Sequence, residues 1–238
     1  LPQPFTTKRY KDKGNAHMIQ AVIFDRDETL LSFDETSYHW VNQQLQALQV
    51  GIDAHAIDAL WGSWSAGWPR TEEEEQPFWQ RFTQTLIEQH NLRPEIAPEL
   101  IKIFNQYHTT FLPYTDTKTC LQALYQAQIR LALLTNFELP SINKTLEFAG
   151  IDPQIFEFTV SSATLNAWKP DPQAYNAVLD MLGIAPSACM FVDNDLRNVE
   201  GARALGMRGI WLDRQRSESD PAQDILHSLD QLPALLNA

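Results

Sequence analysis

Asp25 and Asp27 stand two positions apart at the end of an apolar run, and polar residues recur at the ends of later runs: Thr135 with Asn136, Lys169 in Lys-Pro-Asp-Pro, and Asp193. Three carboxylates, a hydroxyl and an ammonium suit a hard divalent cation together with an anionic substrate, because Mg²⁺ takes oxygen ligands and bridges carboxylate to phosphate. Each position also has a plain structural reading. A strand-end Asp can cap the helix that follows, and Lys169 can be an ordinary surface lysine. The motif Asp25-x-Asp27-x-Thr29 alone arises by chance in roughly 2–3% of chains this long. Its weight comes from the set, because open α/β sheets bind ligands beyond the carboxyl ends of their strands, where one crevice would gather all five side chains.

The elements that must do this positioning are legible as alternating runs. Residues 19–24, 130–134, 156–160, 188–192 and 208–212 are short and rich in Ile, Val, Leu or Phe, as buried parallel strands are. Between them lie helical periods such as Tyr175, Val178, Leu179 and Leu182, with Gly150, Gly183 and Gly206 at the expected helix ends. The alternation predicts an α/β fold, a doubly wound parallel sheet with helices on both faces. Residues 34–112 break it, showing helical periods only, so a second, smaller all-helical unit is expected between the first strand and Thr135. Core segments 18–33 and 113–238 flank it, and residues 1–17 read as an N-terminal tail. Five of the seven tryptophans (Trp40, Trp61, Trp64, Trp68, Trp79) fall in the insert. They are expected either to pack its helices or to line a pocket facing the α/β unit.

With 238 residues, 44% hydrophobic, the chain can bury a real core. Lys and Arg number 18 against 30 Asp and Glu, a formal net charge of −12. Such a surface repels a phosphate backbone, so no nucleic-acid partner is expected. The longest apolar stretches fall far short of the roughly 20 residues of a membrane helix, and no membrane span is expected. Cys120 and Cys189 read as small core residues in a reducing compartment, the cytoplasm, and the start of the chain lacks the apolar region of a signal peptide. The run Glu72–Glu75 reads as one solvated helical turn.

From Met18 onward the chain resembles the haloacid dehalogenase superfamily of phosphohydrolases. The four polar motifs occur in order, Lys169-Pro170-Asp171-Pro172 is present, and the helix Val199–Met207 follows the last acidic loop. The insert resembles the helical cap of phosphoglycolate phosphatase-like members on a Rossmann-like core. The resemblance implies a Mg²⁺-dependent phosphatase acting on a small phosphate ester. Asp25 would be the nucleophile forming an aspartyl-phosphate, and Asp27 would protonate the leaving alcohol and then activate water. These opposite duties require the two pKa values to be pushed apart. Thr135, with Asn136 and Arg26, would contact the substrate, and Lys169 would offset charge on Asp25 and the phosphate. The metal would rest on Asp25, Asp193 and the Asp27 carbonyl. Trp64, Trp68 and Arg70 are cap candidates for substrate contact, Arg70 by gripping a second anionic group.

Asp27 separates reaction types, since members that displace halide need no proton on the leaving group and lack an acid there. A phosphomutase, or a binding protein that keeps the crevice, uses the same framework. The chain departs from the usual pattern at Glu28, where Gly is common, and at Asn194 and Asn198, where acids are common. Asp195 or Glu28 are expected substitutes in the metal shell.

Overall fold

The computed structural model describes residues 18–237, so the tail expected over residues 1–17 lies outside the described residues. The chain enters through β1 (Ala21–Phe24) and turns at once into β2 (Leu31–Phe33). Four helices follow: α1 (Thr36–Ala47), α2 (Ala54–Gly62), α3 (Glu75–His90) and α4 (Ala97–Phe104), before β3 (Phe111–Pro113) leads back. The rest alternates: α5 (Thr117–Gln126), β4 (Arg130–Thr135), α6 (Ile142–Phe148), β5 (Phe158–Ser161), α7 (Ser162–Leu165), α8 (Pro172–Leu182), β6 (Cys189–Asp193), α9 (Leu196–Ala204), β7 (Arg208–Leu212) and β8 (Ile225–Leu226).

The six-stranded sheet runs β5-β4-β1-β6-β7-β8, every pairing parallel. Successive side chains of a strand point to opposite faces, and both faces are buried here. Val22 and Phe24 join Leu131, Leu133, Met190 and Val192 under α5 and α6. Ala21 and Ile23 join Ala132, Leu134 and Phe191 under α8 and α9. That is why these strands read as continuous apolar runs, and it makes the sheet doubly wound, a Rossmann-like α/β core as expected. Among the described residues no helix is long and apolar enough to cross a membrane.

The helical cap has its own core, built from Leu45, Phe78, Phe82, Leu86 and Leu100. Trp79 is buried in it, and Trp61, Trp64 and Trp68 pack partly buried against it. Phe137 packs against this cluster and Leu139 belongs to it, although both come from the loop after β4. One expectation for residues 34–112 is corrected. They are not purely helical, because β3 begins at Phe111 and pairs antiparallel with β2, Phe33 opposite Phe111. Three-residue strands show too few alternations to register as a period.

Two other local readings also change. Glu72, Glu73 and Glu74 are exposed, but Glu75 is buried and accepts the Ser141 backbone N–H at 2.8 Å, tying the start of α3 to the start of α6. Glu28 occupies a left-handed backbone position at φ +56 without being glycine. A left-handed conformation costs a side-chain-bearing residue about 1–2 kcal/mol. Its carboxylate accepts the Tyr114 hydroxyl and the Phe33 N–H, which fastens β1's turn to the ribbon.

Candidate active site

β1, β4 and β6 are neighbours in the sheet and end on the same side, so Asp25, Thr135 and Asp193 emerge together. Asp25 follows the last residue of β1 and is anchored by its N–H to Val192 O at 2.9 Å. Asp25 and Asp193 are 5% and 0% exposed. Lys169, arriving from the loop before α8, lies between them with Nζ 2.6 Å from Asp25 Oδ1 and 2.8 Å from Asp193 Oδ2. Burial pushes the Asp25 carboxyl up to about 7. Lys169 opposes that rise, while Asp193 and Asp27 add to it. Burial also works against the Lys169 ammonium, but the two carboxylates outweigh it and hold its pKa above the ordinary lysine value.

Asp193 is also held from the α9 side. Its Oδ1 accepts the Asp195 N–H at 2.8 Å, and its Oδ2 also accepts the Asn198 amide at 3.1 Å. Asn198 thus orients the carboxylate from one turn into α9. Asp195 does not join the site: it caps α9 through the Arg197 N–H and pairs with the Arg197 guanidinium. Glu28 is likewise held by Tyr114, so neither substitute expected for the metal shell faces the pair.

Asp27 is half-buried, its side chain 42% exposed, and is gripped by Arg26. Arg26 Nε donates to Asp27 Oδ1 at 2.9 Å, and Nη2 lies 2.6 Å from the same oxygen without hydrogen-bond geometry. The guanidinium is completely buried between two rings, 4.2 Å from the Phe111 centroid and 3.8 Å from that of Phe137, with Nη1 donating to Thr145 at 3.3 Å. Complete burial leaves the guanidinium no exposed atom for the substrate contact expected of Arg26, and its bond to Asp27 gives it a positioning role instead.

Thr135 is fully buried at the end of β4, and its hydroxyl accepts the Phe137 N–H at 3.1 Å. Asn136, expected to contact the substrate, is tied to the lysine loop. Its amide donates to Lys169 O at 2.9 Å, and its carbonyl accepts the Lys169 N–H at 2.8 Å and the Ser162 hydroxyl at 2.7 Å. It holds the lysine loop by its backbone. Asn136→Ala is expected to lower kcat by roughly 10–100-fold with little change in KM, since a displacement of about 1 Å at a positioned group costs on that order. Steady-state kinetics beside an unchanged far-ultraviolet circular dichroism spectrum checks this.

Arg70 does not stand free in the cap. Its guanidinium donates to Asn166 of the core at 2.9 Å, an exposed contact across the two units. A residue missed by sequence reasoning is Glu138, three positions after Thr135. Burial raises its carboxyl pKa, with Trp61, Asp27 and Arg26 close enough to act on it. Its one sequence signal was an acid just beyond a strand end.

A family model described as haloacid dehalogenase-like hydrolase matches residues 19–206. A phosphatase from Mycobacterium tuberculosis is 30% identical over 223 residues, 92% of this chain and 97% of that protein. A phosphoserine phosphatase from Thermus thermophilus is 31% identical over 172 residues, 71% of this chain and 69% of that protein. Among solved structures, a 2-haloacid dehalogenase from Pseudomonas syringae superimposes with a TM-score of 0.67 at 21% identity, covering 92% of this chain and 99% of that one. Strand order, the carboxylate pair bridged by lysine, and similarity along nearly the whole chain converge: this protein belongs to the haloacid dehalogenase-like hydrolases.

Proposed function

We propose that this hydrolase is a Mg²⁺-dependent phosphatase that cleaves a small phosphate ester through an aspartyl-phosphate. The observation that carries the reading is Asp27, a second carboxylate two residues after the buried Asp25 and fixed by its own arginine. A leaving halide has no use for such a group, whereas a leaving alcohol needs a proton. The full-length similarity to a phosphatase supports the same reading.

The donor set fits the ion. Among the described residues no group of three or more His, Cys, Asp or Glu side chains is arranged to hold a metal ion, but Mg²⁺ is commonly held by one or two carboxylates, with water and phosphate oxygens completing its shell. Asp25 and Asp193 would hold it, with the Asp27 carbonyl that the family resemblance implies. Bound there, the ion supplies charge neutralisation between carboxylate and phosphate dianion.

The chain's own groups then divide the reaction. An Asp25 carboxylate oxygen forms the bond to phosphorus as the ester P–O bond breaks, and the departing alkoxide is protonated by Asp27 acting as general acid, the role that the family resemblance implies. Asp27, now a carboxylate, removes a proton from water as that water attacks the phosphoryl group, which regenerates Asp25 and frees phosphate. Lys169 and the Thr135 hydroxyl would stabilise the oxygens on which charge accumulates. The two buried free thiols, Cys120 and Cys189, support a reducing compartment and a cytoplasmic enzyme.

Asp27→Asn tests the division of labour. On alkyl phosphates with Mg²⁺, turnover is expected to fall roughly 10²–10⁴-fold. On p-nitrophenyl phosphate, whose leaving group needs no proton, one equivalent of nitrophenol should appear in a burst before the phosphoenzyme stalls. No Mg²⁺-dependent turnover of any phosphate ester, together with halide release from 2-chloropropionate, would give the dehalogenase reading instead.

A further inference from the structure

Within the cap, closed on the core side by Phe137 of the loop after β4, lies a cavity of about 200 Å³. About half of its lining residues are aromatic, among them Trp61, Trp79, Tyr107, Phe111 and Phe137. Its single formally charged lining residue is Asp58, which accepts the Tyr38 hydroxyl; no lysine or arginine reaches it. The cavity shares its wall with the catalytic machinery. Phe111 and Phe137 are the two rings that enclose the Arg26 guanidinium, and that guanidinium holds Asp27. Trp61, another wall residue, is close to Glu138.

We propose that this cavity receives the organic part of the substrate, an uncharged, ring-sized apolar group, so that the preferred substrates are phosphate esters of aryl-methyl or similarly bulky apolar alcohols. The inference rests on the phosphatase reading and adds the substrate class. The leaving oxygen must sit within reach of Asp27, which the Arg26 pair sets on the Phe111 and Phe137 side of the cavity wall. A cavity of about 150 Å³ lined by apolar groups is already enough for benzene, and offset or edge-on rings attract a further aromatic. The same wall rejects a second anion. Asp58 adds a negative charge, and Arg26, the nearest cation, is wholly buried and matched by Asp27. Carboxylated or doubly phosphorylated substrates would have to desolvate a charge there with no partner.

The test compares kcat/KM for benzyl phosphate, methyl phosphate and phosphoglycolate with Mg²⁺. Benzyl phosphate should exceed methyl phosphate at least tenfold, with phosphoglycolate no better than methyl. Val41→Phe, which fills the cavity from α1, should cut the benzyl-to-methyl ratio at least tenfold. Ile103→Ala, which enlarges it from α4, should shift preference toward naphthylmethyl phosphate, and serves as the second variant if Val41→Phe fails to fold. Turnover without a benzyl preference, or a preference for phosphoglycolate, overturns the inference and leaves the phosphatase reading intact. If none of the esters is turned over, the phosphatase reading fails instead, and the cavity is judged by benzyl alcohol alone. Saturable quenching of tryptophan emission that Val41→Phe weakens supports an apolar site, and its absence overturns it.

Discussion

Asp25→Asn is expected to reduce turnover by about 10⁴-fold or more, the scale of losing a nucleophile, while making the metal-free protein more tolerant of alkaline pH. Both effects follow from one burial. The Asp25 carboxyl, at 3.8 in an unconstrained chain, rises to about 7 in the fold. Between about pH 4 and pH 7 the folded state therefore retains a proton that the unfolded chain has released. The stability from that proton is complete below about pH 4 and is lost as the pH climbs through 7. Asn keeps the shape and carries no charge to desolvate. Thermal melts of metal-free protein from pH 5 to pH 9 should fall in the wild type and flatten in Asp25→Asn. A variant that melts lower at pH 8 than the wild type would remove burial as the cause.

Lys169→Met is expected to have the opposite effect on stability. Its side chain is 1% exposed and lies within hydrogen-bond distance of both Asp25 and Asp193. Methionine fills a similar volume but leaves two buried carboxylates facing each other. Removing one member of a buried ion pair costs about 3–5 kcal/mol, and each kcal/mol shifts the midpoint of a domain this size by about 2–4 °C. A drop of roughly 6–20 °C is expected in the absence of metal, with Mg²⁺ raising the midpoint of the variant more than that of the wild type. Turnover should fall by roughly 10²–10³-fold even at saturating Mg²⁺, because the lysine also faces the charge that develops on phosphate. An unchanged midpoint would show that the pair is solvated after all.

The strands could be read from the chain because both faces of the sheet are covered, which makes the central ones apolar runs that end abruptly in polar residues, Asp25 after β1, Thr135 at the end of β4 and Asp193 at the end of β6. That same rule placed Asp25, Thr135 and Asp193 at one edge. What escaped reading depends on pairings between distant segments. Asn136 looked like a phosphate contact because it follows Thr135, yet its amide is complementary to the Lys169 backbone 33 residues away. Arg26 looked like an anion binder until two rings, one more than a hundred residues off in sequence, closed over it. Glu75 was indistinguishable from its three neighbours, since only the approach of Ser141 selects it for burial. At Glu28 the departure from the usual glycine suggested a substitute metal ligand, yet the residue keeps the left-handed backbone and its carboxylate is held by a tyrosine 86 residues on.

Phe137 and Leu139 lie two and four residues after Thr135, yet they pack with the side chains of the cap. Stripping a residue such as Leu139 of its contacts exposes an apolar side chain at about 1.5–3 kcal/mol. A cap that lifts from the core must therefore either accept that cost or draw the loop along with it. The Phe137 N–H that engages the Thr135 hydroxyl belongs to that same loop, so the packing of the cap and the setting of a reaction-centre side chain share one short segment of backbone.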